Sequence, residues 1–420
     1  MVPNPVPTEP PRPAAAKPEL EPAFDPGALP EATRALLRAE ARFGPRGAPF
    51  RRTGLCRFGL EGTRPLVPVG PAEKAYWRLL TAVLLVPRTV LFVSTLLLLG
   101  ALWTLAALAL PRARAAAVVR ITGKAGSRVL LFAAGFLWMD VARSADRGAF
   151  APVVVSNHSS WADILIMCVL YMPGFVAKAD VQKVPIIGFL ADCMECLYVQ
   201  RRGDRGAPSN FLGKAPSADP LVPPDSPKRG EAGSPAQRRR AGGGAGGGGP
   251  EPDEAAAGGG GRGSGTGDLV KRRLERAAAD GGRTMSPLCV FPEGTTSNNV
   301  YLMPFRRGFA LGGTAVRPVV IKYGTDPTRR VSPSYETLSG KQHLLLMLRS
   351  PYHTVRVEEL PVMTPSAAEK ADPALFAERV RSRIAEAGGF VKHTSSLADK
   401  RDYQKALRDA LKKVASSETK

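Results

Sequence analysis

Val153-Val154-Val155-Ser156-Asn157-His158-Ser159-Ser160-Trp161-Ala162-Asp163 is the stretch that decides how this chain is read. Three β-branched residues run into Ser-Asn, and an apolar run from Ile164 to Leu170 begins directly after Asp163. That order predicts a strand, a tight loop and a helix, with His158 where the strand gives way to the helix. Such loops are held by a rigid scaffold yet stay open to a ligand. Asp163 lies five residues further on, close enough to fold back onto the imidazole. A carboxylate bonded to one ring nitrogen fixes the tautomer and raises the basicity of the other, which then accepts a proton from a hydroxyl. By itself the pair is common, and other blocks are needed to give it meaning.

Working outward, composition sets the bounds. The chain has 420 residues and a formal charge of +21, but its 43 glycines and 39 prolines crowd into two regions and shorten the foldable length. One globular catalytic domain plus a membrane-associated segment is expected. The positive charge is scattered, with no finger, basic zipper or aromatic-studded RNA-binding signature, so a nucleic-acid partner is not expected. Attraction to anionic lipid or to phosphate-bearing substrates fits better. Five cysteines form no disulfide framework. Cys193 and Cys196 make a CxxC without a second ligand pair or a thioredoxin-like context, and are expected as reduced, buried thiols.

Residues 1–70 are rich in Pro, Ala, Arg and Glu and are expected to be a disordered arm, with one short helix from Glu31 to Phe43. A membrane-associated segment follows over residues 75–145. Within it, Thr89 to Leu110 runs twenty-two residues without a charge. At about 1.5 Å per residue this makes about 33 Å of helix, enough to cross a hydrocarbon core of about 30 Å. A span or re-entrant insertion is predicted, with Pro87 placed to kink or split it. Arg112, Arg114, Arg120, Lys124 and Arg128 follow closely, which puts the downstream part in the cytosol by the positive-inside rule. Val129 to Val141 is apolar but too short to cross.

The catalytic region is expected in two pieces, 150–202 and 268–362. Phe175-Val176-Ala177-Lys178 reads as a short strand ending in a cation, and Val184 to Leu190 as a helix opened by Pro185. Cys196 to Arg202 reads as a strand that delivers Arg201 and Arg202 to its end, where guanidinium forks suit phosphate. Residues 203–267 dissolve into Gly, Pro, Ala and Ser and are treated as an inserted loop without a core of its own. Order resumes with a basic helix, Leu269 to Ala279, capped by Asp268. Leu288 to Asn298 then forms the second strong signal, a buried strand entering a loop with Glu293, Gly294 and three hydroxyls. Glu293 is expected to hold a substrate hydroxyl or to brace the loop, and Met303-Pro304-Phe305-Arg306-Arg307 adds cations. Val316 to Tyr323 is a core strand and Thr354 to Leu360 an edge strand. Residues 363–420 hold basic amphipathic helices expected to pack on the domain.

Taken together, Asn157-His158-Ser159-Ser160-Trp161-Ala162-Asp163, Tyr198-Val199-Gln200-Arg201, Phe291-Pro292-Glu293-Gly294-Thr295-Thr296 and Val316-Arg317-Pro318-Val319 resemble the four ordered blocks of the glycerolipid acyltransferase superfamily. The likeness covers about residues 75–415 less the insertion, and is closest to the lysophosphatidylethanolamine and lysophosphatidylcholine acyltransferases. It implies an α/β domain with a mixed sheet flanked by helices, behind an N-terminal membrane helix or hairpin. It further implies transfer of an acyl group from acyl-CoA, a co-substrate rather than a bound cofactor, to the free hydroxyl of a lysophospholipid. His158 and Asp163 would form the general-base pair. Arg201, Glu293, Gly294 and Thr295 match the positions that hold the acceptor's phosphate and glycerol, and Lys178 and Arg306 join them as substrate-binding cations. No metal is implied, and endoplasmic-reticulum membrane is the implied location. Arg306 stands where relatives often carry Lys, no acidic calcium-binding loop is present, and the glycine-rich insertion is unusual. Head-group choice stays open, because the motifs do not encode it: a phosphatidic-acid-forming enzyme, a CoA-independent transacylase and a silent membrane scaffold are the rival readings.

Overall fold

The computed structural model describes residues 43–50, 71–199, 266–324 and 340–418, apart from residues 147, 185, 283 and 284, together with residues 35, 38, 39, 41, 333 and 334. Most of the Pro-rich arm, residues 200–265 of the insertion region and Arg201 therefore lie outside the described residues.

The domain is built on strands β1 (Asp140–Ala142), β2 (Val153–Ser156), β3 (Gly174–Lys178), β4 (Leu197–Val199), β5 (Leu288–Val290), β7 (Val316–Tyr323) and β8 (Val355–Glu359). They form one seven-stranded sheet in the order β1-β8-β7-β2-β5-β3-β4. Every neighbouring pair is parallel except β7 and β8, so the sheet is mixed, as expected. A small second sheet pairs β6 (Tyr301–Leu302) with β9 (Val391–Lys392).

All four residues of β2 are buried, because both faces of the sheet are covered. On one face Val154, Val319 and Ile321 pack with Ile166 and Met167 of a helix we label α4 (Ala162–Leu170). On the other, Val153, Val155 and Val320 meet Leu274, Phe376, Val380 and Ile384. Leu274 lies on a helix spanning Thr266–Asp280, and the other three on one spanning Pro373–Gly388. The alternation along β2 is the period-two signature of a strand. Burying each valine contributes about 1.5–3 kcal/mol, so a single charge placed at Val154 or Val155 would break the centre of the sheet.

The apolar N-terminal stretch forms α1 (Pro71–Leu80), a π turn at Thr81–Leu85 and α2 (Val86–Ala109). Pro87 offers no N–H and crowds the turn before it, and the wide π turn takes up the mismatch, so the helix runs through instead of splitting. After Pro111 the chain returns antiparallel as α3 (Arg112–Ala133). Trp103 Nε1 donates to Thr122 Oγ1 at 2.9 Å across the hairpin. Gly126 lets the helices close up, since a Cβ there would lie 2.6 Å from Leu99 Cδ1.

The expected span is thus one arm of a hairpin fastened along the domain. Arg88 donates to the carbonyls of Ser350 and Pro351, and Phe92 meets Trp161 edge-on at 6.3 Å. Charge bias across a single crossing cannot orient a helix whose partner brings five cations back beside it.

Other boundaries shift for local reasons. Gly44–Phe50, inside the stretch read as a disordered arm, is a 3-10 helix whose Phe50 is fully buried beside Tyr403. The first of the C-terminal helices runs Ala367–Ala371 and breaks at Asp372, whose carboxylate caps the next helix, Pro373–Gly388, by accepting from Ala374 N at 3.0 Å. The helix expected from Val184 starts at Ile187, three residues late. Cys168, Cys193, Cys196 and Cys289 are free thiols, and burial pushes all four pKa values up.

Candidate active site

Strands β2, β3, β4 and β5 run parallel, so their C-terminal ends share one edge of the sheet. His158 leaves from β2, Lys178 closes β3, and the Glu293 loop leaves from β5. Ligands of open α/β sheets bind at this edge.

The chain cannot turn sharply after β2 without leaving the end of β7 unpaired, and Asn157 solves this. Its side chain acts as a surrogate strand, donating through Nδ2 to Ile321 O at 2.9 Å and accepting from Ile321 N at 2.8 Å. The next residue, His158, is carried at the rim with 18% of its side chain exposed, while Asp163 is completely buried.

His158 Nδ1 and Asp163 Oδ2 lie 2.9 Å apart. The same oxygen accepts the backbone N–H groups of Ser159 at 2.7 Å and Ser160 at 2.8 Å, and Oδ1 accepts the hydroxyl of Tyr323. Besides the imidazole, the buried carboxylate thus has three donors to satisfy its oxygens. With Nδ1 facing a carboxylate, the proton sits there and Nε2 carries the lone pair. Among the described residues no hydrogen bond engages Nε2. The imidazole face stacks on Phe291, centroids 4.2 Å apart at 15°, and Ser297 N donates to His158 O at 2.9 Å. The ring is therefore held in plane with one basic nitrogen outward.

Glu293 is used inward. Its Oε1 accepts from His158 N at 2.7 Å and its Oε2 from Met303 N at 3.0 Å. Burial pushes its pKa up to about 8, and the two backbone N–H groups pull the other way. Of the two roles expected for it, bracing the loop is the one its hydrogen bonds describe. Gly294 follows with φ +69, a left-handed conformation suited to glycine, and a Cβ there would lie 3.2 Å from Arg306 Nε. Arg306 is exposed, and its N–H donates to Pro292 O at 3.0 Å. Thr295 is half-buried at the same turn.

The structure thus gathers His158, Asp163, Glu293, Gly294, Thr295 and Arg306 around one loop pair. Lys178 sits at the correct edge by its backbone, and Arg201 lies outside the described residues. Three contributors went unread in the sequence. Tyr323 ends a strand that also carries Arg317 and Lys322, so nothing in the sequence singled it out. Asn157 looked like a turn residue. Lys400, on the helix Leu397–Glu418, donates through Nζ to Thr296 O at 2.6 Å and Thr296 Oγ1 at 2.7 Å, pinning the Glu293 loop from the far end of the chain.

Residues 148–222, which contain the His158 loop, match the family model described as Acyltransferase. The chain is 30% identical over 318 residues to lysophospholipid acyltransferase LPEAT1 of Arabidopsis thaliana, covering 70% of this chain and 65% of that one. It is 27% identical over 363 residues to human lysophosphatidylcholine acyltransferase 1, covering 82% of this chain and 56% of the relative. The chain thus spans between just over half and just under two thirds of the length of these two relatives. The crystal structure of the 1-acyl-sn-glycerophosphate (LPA) acyltransferase PlsC from Thermotoga maritima aligns with a TM-score of 0.43 at 16% identity, covering 75% of this chain and 96% of that one.

Proposed function

We propose that the chain transfers a fatty acyl group from acyl-CoA to the free glycerol hydroxyl of a lysophospholipid. The observation that carries this reading is the His158–Asp163 pair, buried on the carboxylate side and open at Nε2, in a chain whose relatives are named for lysophospholipid acylation.

The substrate hydroxyl is itself the nucleophile. Nε2 takes its proton as the oxygen attacks the thioester carbonyl, and the imidazolium formed is stabilised by Asp163. The tetrahedral intermediate collapses by breaking the carbon–sulfur bond, and the leaving thiolate of CoA takes the proton from Nε2. No acyl-enzyme is needed. The Ser159 and Ser160 amides are committed to Asp163, so the oxyanion is met by other donors. Arg306, with Lys178 and Arg201, supplies positive charge for the acceptor's phosphate, and Thr295 a hydroxyl beside it.

The membrane reading follows from the hairpin. Val90, Leu97, Leu98, Leu105 and Leu108 of α2 face outward, as do Ile121 and Phe132 of α3. The long helix has the length to cross a bilayer. Yet crossing would draw Arg120 and Lys124 of α3 into hydrocarbon and pull α2 from Trp161. The hairpin is better served lying in one leaflet with its outer face in the acyl region, which sets the His158 edge near lipid. The location we propose is the endoplasmic-reticulum membrane, with the domain on its cytosolic side.

The test is transfer of labelled oleoyl-CoA by membranes expressing the chain, offered lysophosphatidylethanolamine, lysophosphatidylcholine and lysophosphatidic acid in parallel, with His158→Ala as control. Label in an ethanolamine or choline phospholipid, lost in the variant, supports the proposal. Label in phosphatidic acid alone would move it to the rival head group, and none in any acceptor would overturn it.

A further inference from the structure

We infer that Tyr323 is a positioning residue of the reaction, a third member behind the His158–Asp163 pair that sets the orientation of the carboxylate and the basicity of the imidazole. The inference rests on the proposed general-base role of His158 and deepens it.

Tyr323 ends β7 with 2% of its surface exposed, and its hydroxyl donates to Asp163 Oδ1, the oxygen that does not face His158. The two oxygens thus have separate duties. Oδ2 takes His158 Nδ1 and two loop amides, while Oδ1 has Tyr323 as its donor among the described residues. Rotation of the carboxylate about its Cβ–Cγ bond exchanges these oxygens, and the phenol resists it from the opposite side to the imidazole.

The tyrosine is itself held with unusual care. Asn299 brackets its backbone, donating through Nδ2 to Tyr323 O at 3.0 Å and accepting from Tyr323 N at 3.4 Å. Asn157, the residue before the catalytic histidine, brackets Ile321 two positions earlier in the same manner. Asn299 takes φ 63, a left-handed conformation that asparagine tolerates better than most side chains. Two asparagines therefore extend the pairing of β7 past its parallel neighbour, Asn157 tying Ile321 to the His158 loop and Asn299 tying Tyr323 to the Glu293 loop. The ring packs against Phe136, centroids 5.8 Å apart, which fills the space through which it would otherwise swing.

The chemistry points one way. Burial and the neighbouring Asp163 push the Tyr323 pKa far up, so the phenol keeps its proton and acts only as a donor toward the carboxylate. A donor on Oδ1 draws negative charge from Oδ2 and moderates the pull on His158. Without it, the carboxylate holds the imidazolium more tightly and the His158 pKa rises. The carboxylate also gains a second orientation, which lowers the rate of a step that needs the ring fixed.

Two substitutions test this in the full-length chain in detergent micelles, using histidine labelled at the carbon between its nitrogens. The His158 resonance is assigned by its loss in His158→Ala. Tyr323→Phe is expected to raise the His158 pKa by about half a unit to one unit and to lower kcat at least about tenfold, with KM for both substrates kept within about twofold. Replacing Tyr323 with 3-fluorotyrosine keeps the shape and strengthens the donor, and is expected to move the pKa down. A purely structural tyrosine would change the folded fraction and leave titration and kcat per folded molecule unmoved, which overturns the inference. If Tyr323→Phe fails to fold, the direction of the fluorotyrosine shift decides alone. The titration does not depend on turnover, so a chain inactive on every lysophospholipid would sink the proposed function while the coupling of Tyr323 to His158 is still read.

Discussion

Replacing Asp163 by Asn removes one charge and almost nothing else, because the structure offers the amide a matching set of partners. The amide oxygen takes the place of Oδ2 and accepts from Ser159 N, Ser160 N and the Nδ1–H of His158. The amide NH2 takes the place of Oδ1 and donates to the Tyr323 hydroxyl, which turns to accept. Tautomer and ring orientation survive, so the loss is electrostatic. Two unit charges about 4 Å apart at an effective dielectric near 20 attract by about 4 kcal/mol, close to a thousandfold in rate. The assay is the initial rate of labelled oleoyl transfer per folded protein, with thermal unfolding followed in parallel. Asp163→Asn is expected to lower kcat about a thousandfold, to hold KM for the lysophospholipid within about twofold, and to leave the unfolding temperature unchanged or raised, since it deletes a buried charge. Retention of more than about a tenth of the wild-type rate would refute the argument that the charge stabilises the imidazolium.

Four further outcomes follow from the same geometry. Glu293→Gln satisfies only one of His158 N and Met303 N, and is expected to cost about 1–3 kcal/mol in denaturant unfolding. With its native pKa raised to about 8, the Glu293 carboxyl keeps its proton in the folded state at pH values where the unfolded chain has released it. Stability should accordingly fall as pH rises from about 5 to about 8, by up to about 1.4 kcal/mol per unit, and the Gln variant should flatten that slope; a wild-type curve without the slope contradicts the assignment. Lys400→Met removes both bonds to Thr296 together with a buried cation, so stability should move little while the freed loop raises KM for the acceptor, which steady-state kinetics will show. Leu98→Glu with Leu105→Glu strips apolar contact worth about 3–6 kcal/mol from the outer face of α2 and should release the protein from vesicles in a flotation assay without altering the folded domain.

The local chemistry of this chain was legible because it is local. A β-branched run, a turn and an apolar run announce β2, its loop and α4 by periodicity alone, and the five-residue spacing of His158 and Asp163 lies within one turn of backbone. The buried strands at Leu288 and Val316 were visible for the same reason, as was the length of the apolar helix. Pairings between residues far apart in sequence left no such trace. Nothing near Tyr323 says that it will meet Asp163, 160 positions earlier, and nothing near Lys400 says that it will bond Thr296. Phe50 carried no periodic pattern, so its burial beside Tyr403 depends on where the final helix docks. The sequence by itself determined that His158 and Asp163 share one strand–loop–helix junction and that a long apolar helix precedes them. Only the tertiary structure decided that Glu293 turns inward to brace the histidine loop, that α2 folds back with α3 along the domain, and that a tyrosine closes the dyad. Each of these depends on a backbone group or side chain brought from a distant segment, and periodicity encodes only neighbours.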